Sequence, residues 1–369
     1  MFESYIIIEL LLSVIKMDSR VLEHAKILVN YSTKVRKGDN ILIQITDYGR
    51  DLATEIYKEA SRLGASPLIV TVPTEAARGY YDLTPEEYLQ VFPKHYYELT
   101  KASDVIISIG SDESSRYLSG INPRKISARS LTVKKISDER LKKRWCVTQY
   151  PTPAYAQEAE MSLKEYEDFV YSAMLLDWKK ETEKMSQLKR IMDEADQVQI
   201  VGEKTDLTMS IKGRTAVVGD GTTNMPDGEV FTAPLENSAE GKIFFDLPAI
   251  RYGREVQDIK LTFEKGEIAD YSASRNEDLL RAMIKTDEGS KRLGELGIGT
   301  NRGITKFTKN ILFDEKMAET IHLAVGMAYK ECGGTNESAV HWDMIKTTKH
   351  GQIIMDGEII QKDGKFKWE

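Results

Sequence analysis

Cysteine is nearly absent from this chain: Cys146 and Cys332 are the only two in 369 residues. They lie far apart and match no CxxC spacing, which excludes a disulfide framework and a zinc-thiolate module. Both are expected to be free thiols of a cytoplasmic protein, packed as small hydrophobes. An excess of basic charge is also lacking. The 51 basic residues are outnumbered by 58 acidic ones, giving a net charge of −7, which argues against nucleic acid as a partner. Long apolar runs are missing too. Residues 4–15, SYIIIELLLSVI, are interrupted by Glu9 and too short to span a bilayer. Glu3 precedes them and no small-residue cleavage site follows, unlike a secretory signal. Residues 1–16 are therefore read as an extension of unknown role, either an added amphipathic helix or an upstream start codon. Met17 opens a more ordinary stretch, and no membrane partner is expected. No Walker GxxxxGK[ST] occurs, and the glycine turns SIGSDESS and GIGTNRG lack GxGxxG spacing, so a nucleotide site has no support.

What is present describes a globular chain of 41% hydrophobic residues, too long for one ordinary core. Between Asn40 and Gly120, the apolar runs NILIQI, PLIVTV and DVIISIG alternate with helical stretches such as RDLATEIYKEASRLG, which ends at Gly64. That alternation predicts a parallel sheet in an α/β domain, with WCVTQYPTP as a further strand. Ser162 and Glu165 predict a capping box opening a helical region that reaches about Ala195. Met185, Leu188, Met192 and Ala195 fall on one stripe of it, as core packing requires. The basic run KKISDERLKKRW is broken by Asp138 and Glu139 and reads as a solvated helix face. After Asp196 the pattern becomes short strands with glycine turns, and Asp356–Gly357 marks a hairpin. The expected architecture is an α/β domain over 17–165, followed by a β-rich α+β catalytic domain over 166–369. One helix is expected at about Asp314–Tyr329.

Three loops rich in glycine, threonine and asparagine each carry acids: GDGTTNMPDGE (219–229), GELGIGTN (294–301) and GGTNESAVHWD (333–343). Such loops display binding groups from a rigid scaffold. Two of the five histidines, His322 and His341, lie within residues 294–343. His341 and Asp343 are two apart and share a face on an extended strand. His322 and Tyr329 are seven apart, two turns along the expected helix. Glu229 and Glu295 join His322, His341 and Asp343 as five candidate ligands of mixed nitrogen and oxygen. That set suits two adjacent metals better than one structural site. The rival for each acid is a turn-capping or surface role.

The segments NMPDGEVFTAPLENSAEG, ELGIGTNRGIT, HLAVGMAY and SAVHWDM, with QYPTPAYAQEAEMSLKEYEDFVY at the domain junction, closely resemble the thermophilic-type metalloaminopeptidase family. The resemblance runs from about Met17 to the C-terminus. It implies a cytoplasmic homodimer that removes N-terminal residues from peptides with two divalent metals: zinc or cobalt, or else magnesium or manganese. The family's metal ligands fall on Glu229, Glu295, His322, His341 and Asp343, and its site tyrosine on Tyr329. Around that tyrosine the family commonly reads GRAYPETG, whereas this chain reads GMAYKECG, so Met327 and Lys330 change the pocket wall. Glu295 is expected to bridge the metals, and Tyr329 to donate to the developing oxyanion. Glu236 and Glu240 are candidates for receiving the substrate's α-ammonium group. The alternatives are a metal-dependent amidase or dipeptidase acting on a small substrate, and a non-catalytic peptide-binding protein.

Overall fold

The computed structural model describes residues 18–369, so the apolar opening run lies outside the described residues. The first half follows the expected alternation. Helix α1 (Ser19–Lys26) leads into strand β1 (Asn40–Ile45), α2 (Arg50–Arg62), β2 (Ser66–Thr71), α3 (Thr74–Leu83) and α4 (Lys94–Ala102). Then come β3 (Val105–Gly110), α5 (Pro123–Arg140), β4 (Arg144–Gln149), α6 (Pro153–Glu158), α7 (Leu163–Met174) and α8 (Trp178–Glu194). Strands β1 to β4 pair in parallel in the order β2-β1-β3-β4. Val105, Ile106 and Ile107 are buried in succession, because helices cover both faces of such a sheet. Gly64 closes α2 at φ +79°, a conformation that favours glycine.

The helical region after Ser162 is two helices, not one. The capping box forms, with Ser162 accepting from the Glu165 amide and Glu165 reaching back. The helix stops at Met174, however, and Asp177 caps a new one by accepting from Lys180 N. Tyr166, Phe169, Val170 and Met174 pack into the first core, whereas Met185, Leu188 and Met192 pack into the second.

The remaining chain is mostly antiparallel. Its strands are β5 (Gln197–Gly202), β6 (Thr205–Ser210), β7 (Val217–Gly219), β8 (Asn224–Met225), β9 (Glu229–Thr232), β10 (Glu240–Phe245), β11 (Ala249–Arg251) and β12 (Arg254–Val256). They continue as β13 (Ile259–Glu264), β14 (Glu267–Ser272), β15 (Leu293–Gly299), β16 (Thr320–Gly326), β17 (His341–Thr347), β18 (Gln352–Met355), β19 (Glu358–Lys362) and β20 (Lys365–Phe366). Helices α9 (Glu277–Ile284) and α10 (Ile311–Asp314) interrupt them. One sheet has the order β14-β13-β10-β6-β5-β18-β19-β20, and a second has the order β17-β16-β15-β9-β7. The hairpin at Asp356–Gly357 is as expected, with both residues at positive φ. Strand β8 instead joins the parallel sheet beside β4, so the second half of the chain completes the first sheet.

The helix expected at Asp314–Tyr329 does not form. Residues Thr320–Gly326 are a strand buried at every position, between β15 and β17. A central strand is apolar on both faces, and so loses the alternation that would have distinguished it from a helix.

His24 ties the two halves together. It is fully buried and donates from Nε2 to Thr148 Oγ1 at 2.8 Å, and Thr148 donates to the Met225 carbonyl at 2.7 Å. Burial pushes its pKa down to about 3. The unfolded chain therefore takes up a proton near pH 6.5 that the folded protein refuses until about pH 3. Stability should fall as the pH drops through that window, by up to about 1.4 kcal/mol per pH unit from this group. Urea unfolding at several pH values checks this: the slope should be smaller in His24→Gln, and an unchanged slope rejects the assignment.

Candidate metal centre

Four adjacent strands carry the site, and their register sets it out in rows. Asp343, Ala324 and Glu295 stand opposite one another across β17, β16 and β15. In the next row, Ile345, His322, Gly297 and Phe231 align across β17, β16, β15 and β9, and Gly299 then faces Glu229. Small residues make the room. A Cβ at Gly297 would lie 2.0 Å from the His322 ring, so the imidazole packs directly over bare backbone. His341 and Asp343 share the site face of β17, while Trp342 turns the other way into the core.

The five candidate ligands converge as two trios, Glu229–Glu295–His322 and Glu295–His341–Asp343. Glu295 belongs to both. Its Oε1 is 3.5 Å from His322 Nε2, and its Oε2 is 3.2 Å from His341 Nε2. Glu229 Oε2 lies 3.2 Å from His322 Nε2, and Asp343 Oδ2 lies 3.6 Å from His341 Nε2. His341 Nδ1 donates to the Met327 carbonyl at 2.8 Å, which fixes the tautomer and turns Nε2 inward. His322 therefore reaches the site from a strand, not from a helix. Tyr329 follows β16 and sets its ring 5.0 Å from that of His341 and 5.7 Å from that of Phe231.

The electrostatics are those of a crowded acid–imidazole network. Burial opposes ionisation of Glu295, but hydrogen bonds from His322 and His341 outweigh it and hold its carboxyl low. Burial disfavours both imidazolium ions, yet the neighbouring carboxylates raise His322 and His341 to about 10. Glu229 is pushed up to about 8 by burial, against the pull of Lys316. Burial, with the negative charge of Glu295 and Asp343, keeps the Tyr329 phenol protonated.

Three groups of the site escaped sequence reasoning. Lys316 is fully buried, with Nζ 3.4 Å from Glu229 Oε1, and it pairs with Glu315. Asp227 is fully buried and accepts from the amides of Gly221 and Gly228. The only trace of the pair Glu315–Lys316 is the charged triplet DEK after an apolar LF. Glu236 and Glu240 are engaged elsewhere. Glu236 pairs with Arg214 and Thr335, and Glu240 accepts from the Lys265 amide. The site opens into a cavity of about 550 Å³, which neither of them lines. Leu141 and Trp145 from the first half line it together with Val217, Phe231 and Tyr329 from the second. Lys330, one of the two positions departing from the family pattern, also faces this cavity, whereas Met327 contributes its carbonyl to His341.

A metal fits this donor set. The atoms are imidazole nitrogen and carboxylate oxygen, and buried Glu229 Oε2 has no hydrogen-bond partner. His341→Ala should lower metal uptake at the Asp343 trio, and His322→Ala at the Glu229 trio. Gly297→Ala should act like His322→Ala by displacing the ring, whereas Trp342→Phe should retain full uptake. Native mass spectrometry reads the stoichiometry, and unchanged metal content in both histidine variants rejects the arrangement.

Comparison with known proteins points the same way. Residues 17–366 match the model of the thermophilic metalloprotease family (M29). Aminopeptidase AmpS of Bacillus subtilis is 27% identical over 93% of this chain and 95% of its own length. Aminopeptidase T of Thermus thermophilus is also 27% identical, over 92% of this chain and 94% of its own. The solved structure of wild-type AmpT from Thermus thermophilus shares the fold, with a TM-score of 0.82 and 23% identity, covering 95% of this chain and 99% of that one. The chain belongs to the thermophilic metalloprotease family.

Proposed function

We propose that this protein is a metal-dependent aminopeptidase that hydrolyses the N-terminal peptide bond of peptides, with two divalent metal ions held by the five converging side chains. The observation that carries this reading is Glu295, whose two oxygens face two different histidines, each beside a further carboxylate. One carboxylate shared by two ligand trios suits a dinuclear centre. In this reading Glu229, Glu295 and His322 would hold one ion, and Glu295, His341 and Asp343 would hold the other. Zinc or cobalt suits the mixed donors, with magnesium or manganese as alternatives. Such ions, when bound, polarise the scissile carbonyl and make a water nucleophilic near neutral pH.

The remaining work falls to the chain itself. Tyr329 keeps its proton, so it can donate a hydrogen bond to the oxygen on which negative charge develops. The Met327 carbonyl orients His341, and Lys316 holds Glu229 by charge. The cavity admits a peptide end beside the ligands, bounded by Trp145 and Phe231. Aminopeptidase activity named for the full-length relatives supports this substrate class. Two free buried thiols support a cytoplasmic setting.

Chelation should abolish release of leucine from a leucyl anilide, and added zinc or cobalt should restore it. Bound metal should also raise the melting temperature, because it binds only the folded site. Glu295→Gln should lose activity by a factor on the order of 100 or more while remaining folded. Full activity in chelator, with metal content shown to be nil, ends the reading. The family resemblance further supports a homodimer, and sedimentation at micromolar concentration that finds only monomer opposes it.

A further inference from the structure

An enzyme confined to free N-termini must recognise an α-ammonium group, and this inference rests on the aminopeptidase reading. A carboxylate beside the reacting bond is suited to that task, because a charge-assisted hydrogen bond forms only with the unblocked amine. Six carboxylates line the cavity: Asp227, Glu229, Glu295, Glu315, Glu331 and Asp343. Glu229, Glu295 and Asp343 belong to the ligand trios. Asp227 commits its two oxygens to the amides of Gly221 and Gly228, at 3.1 and 3.0 Å. Glu331 is exposed, in the short turn after Tyr329. That leaves Glu315.

Glu315 directly follows α10, and its side chain is 17% exposed. It meets Lys316 through Oε1 alone, and its charge is felt by Glu229, Asp343 and Tyr329, so it stands among the reacting groups. Lys316 also faces Glu229 and Asp227. One cation against three carboxylates leaves this wall of the cavity negative. We propose that Glu315 is the specificity-determining residue that receives the substrate's α-ammonium group on its second oxygen, with Lys316 holding the first.

The test compares L-leucine p-nitroanilide with its N-acetyl derivative. The wild-type enzyme should strongly prefer the free amine. Glu315→Gln should raise KM for the free amine by about 10- to 100-fold, with a smaller change in kcat. It should also erase most of the preference over the acetylated substrate, at unchanged metal content. Glu315→Asp keeps the charge and should recover part of the preference. Calorimetry with L-leucinamide gives a readout without turnover: binding should weaken in Glu315→Gln and persist in part in Glu315→Asp. A selective wild type with an equally selective Glu315→Gln overturns the inference and leaves the aminopeptidase reading intact. A collapse of kcat at constant KM overturns it in favour of a proton-transfer role. Wild-type enzyme that cleaves the acetylated substrate equally well removes both. Should Glu315→Gln fail to fold, a crystal structure of the wild type with L-leucinamide decides: ammonium on Glu315 supports the inference, and ammonium on another carboxylate overturns it.

Discussion

Burying ionisable groups is costly unless each is paired, and this requirement governs the second half of the molecule. Three carboxylates and two imidazoles lie on one sheet face, mostly shut off from water. Glu295 is stabilised as an anion by two histidines, and Glu229 is the group for which compensation is incomplete. Lys316, itself wholly buried, is tolerated only because Glu229, Glu315 and Asp227 surround it. A cation entering such a network would have to displace protons from its imidazoles.

The sheet also supplies the room. Each strand of an antiparallel sheet offers every second residue to one face, so large functional side chains can crowd that face only where some of their cross-strand neighbours stay small. Gly297 and Ala324 meet that condition: the first lies under the His322 ring, and the second lies between Glu295 and Asp343. Beyond the sheet, backbone carbonyls and amides finish the job. Met327 aims His341, and two glycine amides anchor Asp227 in the loop that leads to Glu229. All five groups lie on strands, which fix their spacing, while the loops supply the backbone groups that orient them.

The two halves meet at the site and not merely through a linker. Strand β8 extends the parallel sheet, and the next residues reach Glu229 at the start of β9. Through Thr148, His24 holds the Met225 carbonyl at this crossing point. Leu141 and Trp145, at the end of α5 and the start of β4, line the same cavity as the ligands. The first half is therefore part of the cavity wall.

The parallel sheet, the capping box at Ser162, the Asp356–Gly357 hairpin and the shared face of His341 and Asp343 were all legible in the sequence. Each rests on local periodicity or on a few neighbouring residues, which a chain carries without knowing its fold. The candidate ligands were legible too, through residue type and family motifs, although the segments expected to be loops around Glu295 and around His341 and Asp343 are strands. Only tertiary structure decided that Thr320–Gly326 is a strand, because a segment buried on both faces bears no period of its own. The break after Met174 likewise followed from which core each helix faces. Glu315 and Lys316 acquired their place solely from folding: a charged pair beside α10 reads as surface until neighbouring strands enclose it. Glu236 shows the converse, an acid close in sequence to Glu229 that the turn after β9 directs toward Arg214 instead. Sequence proximity does not specify direction in space, and direction is what makes a side chain part of a site.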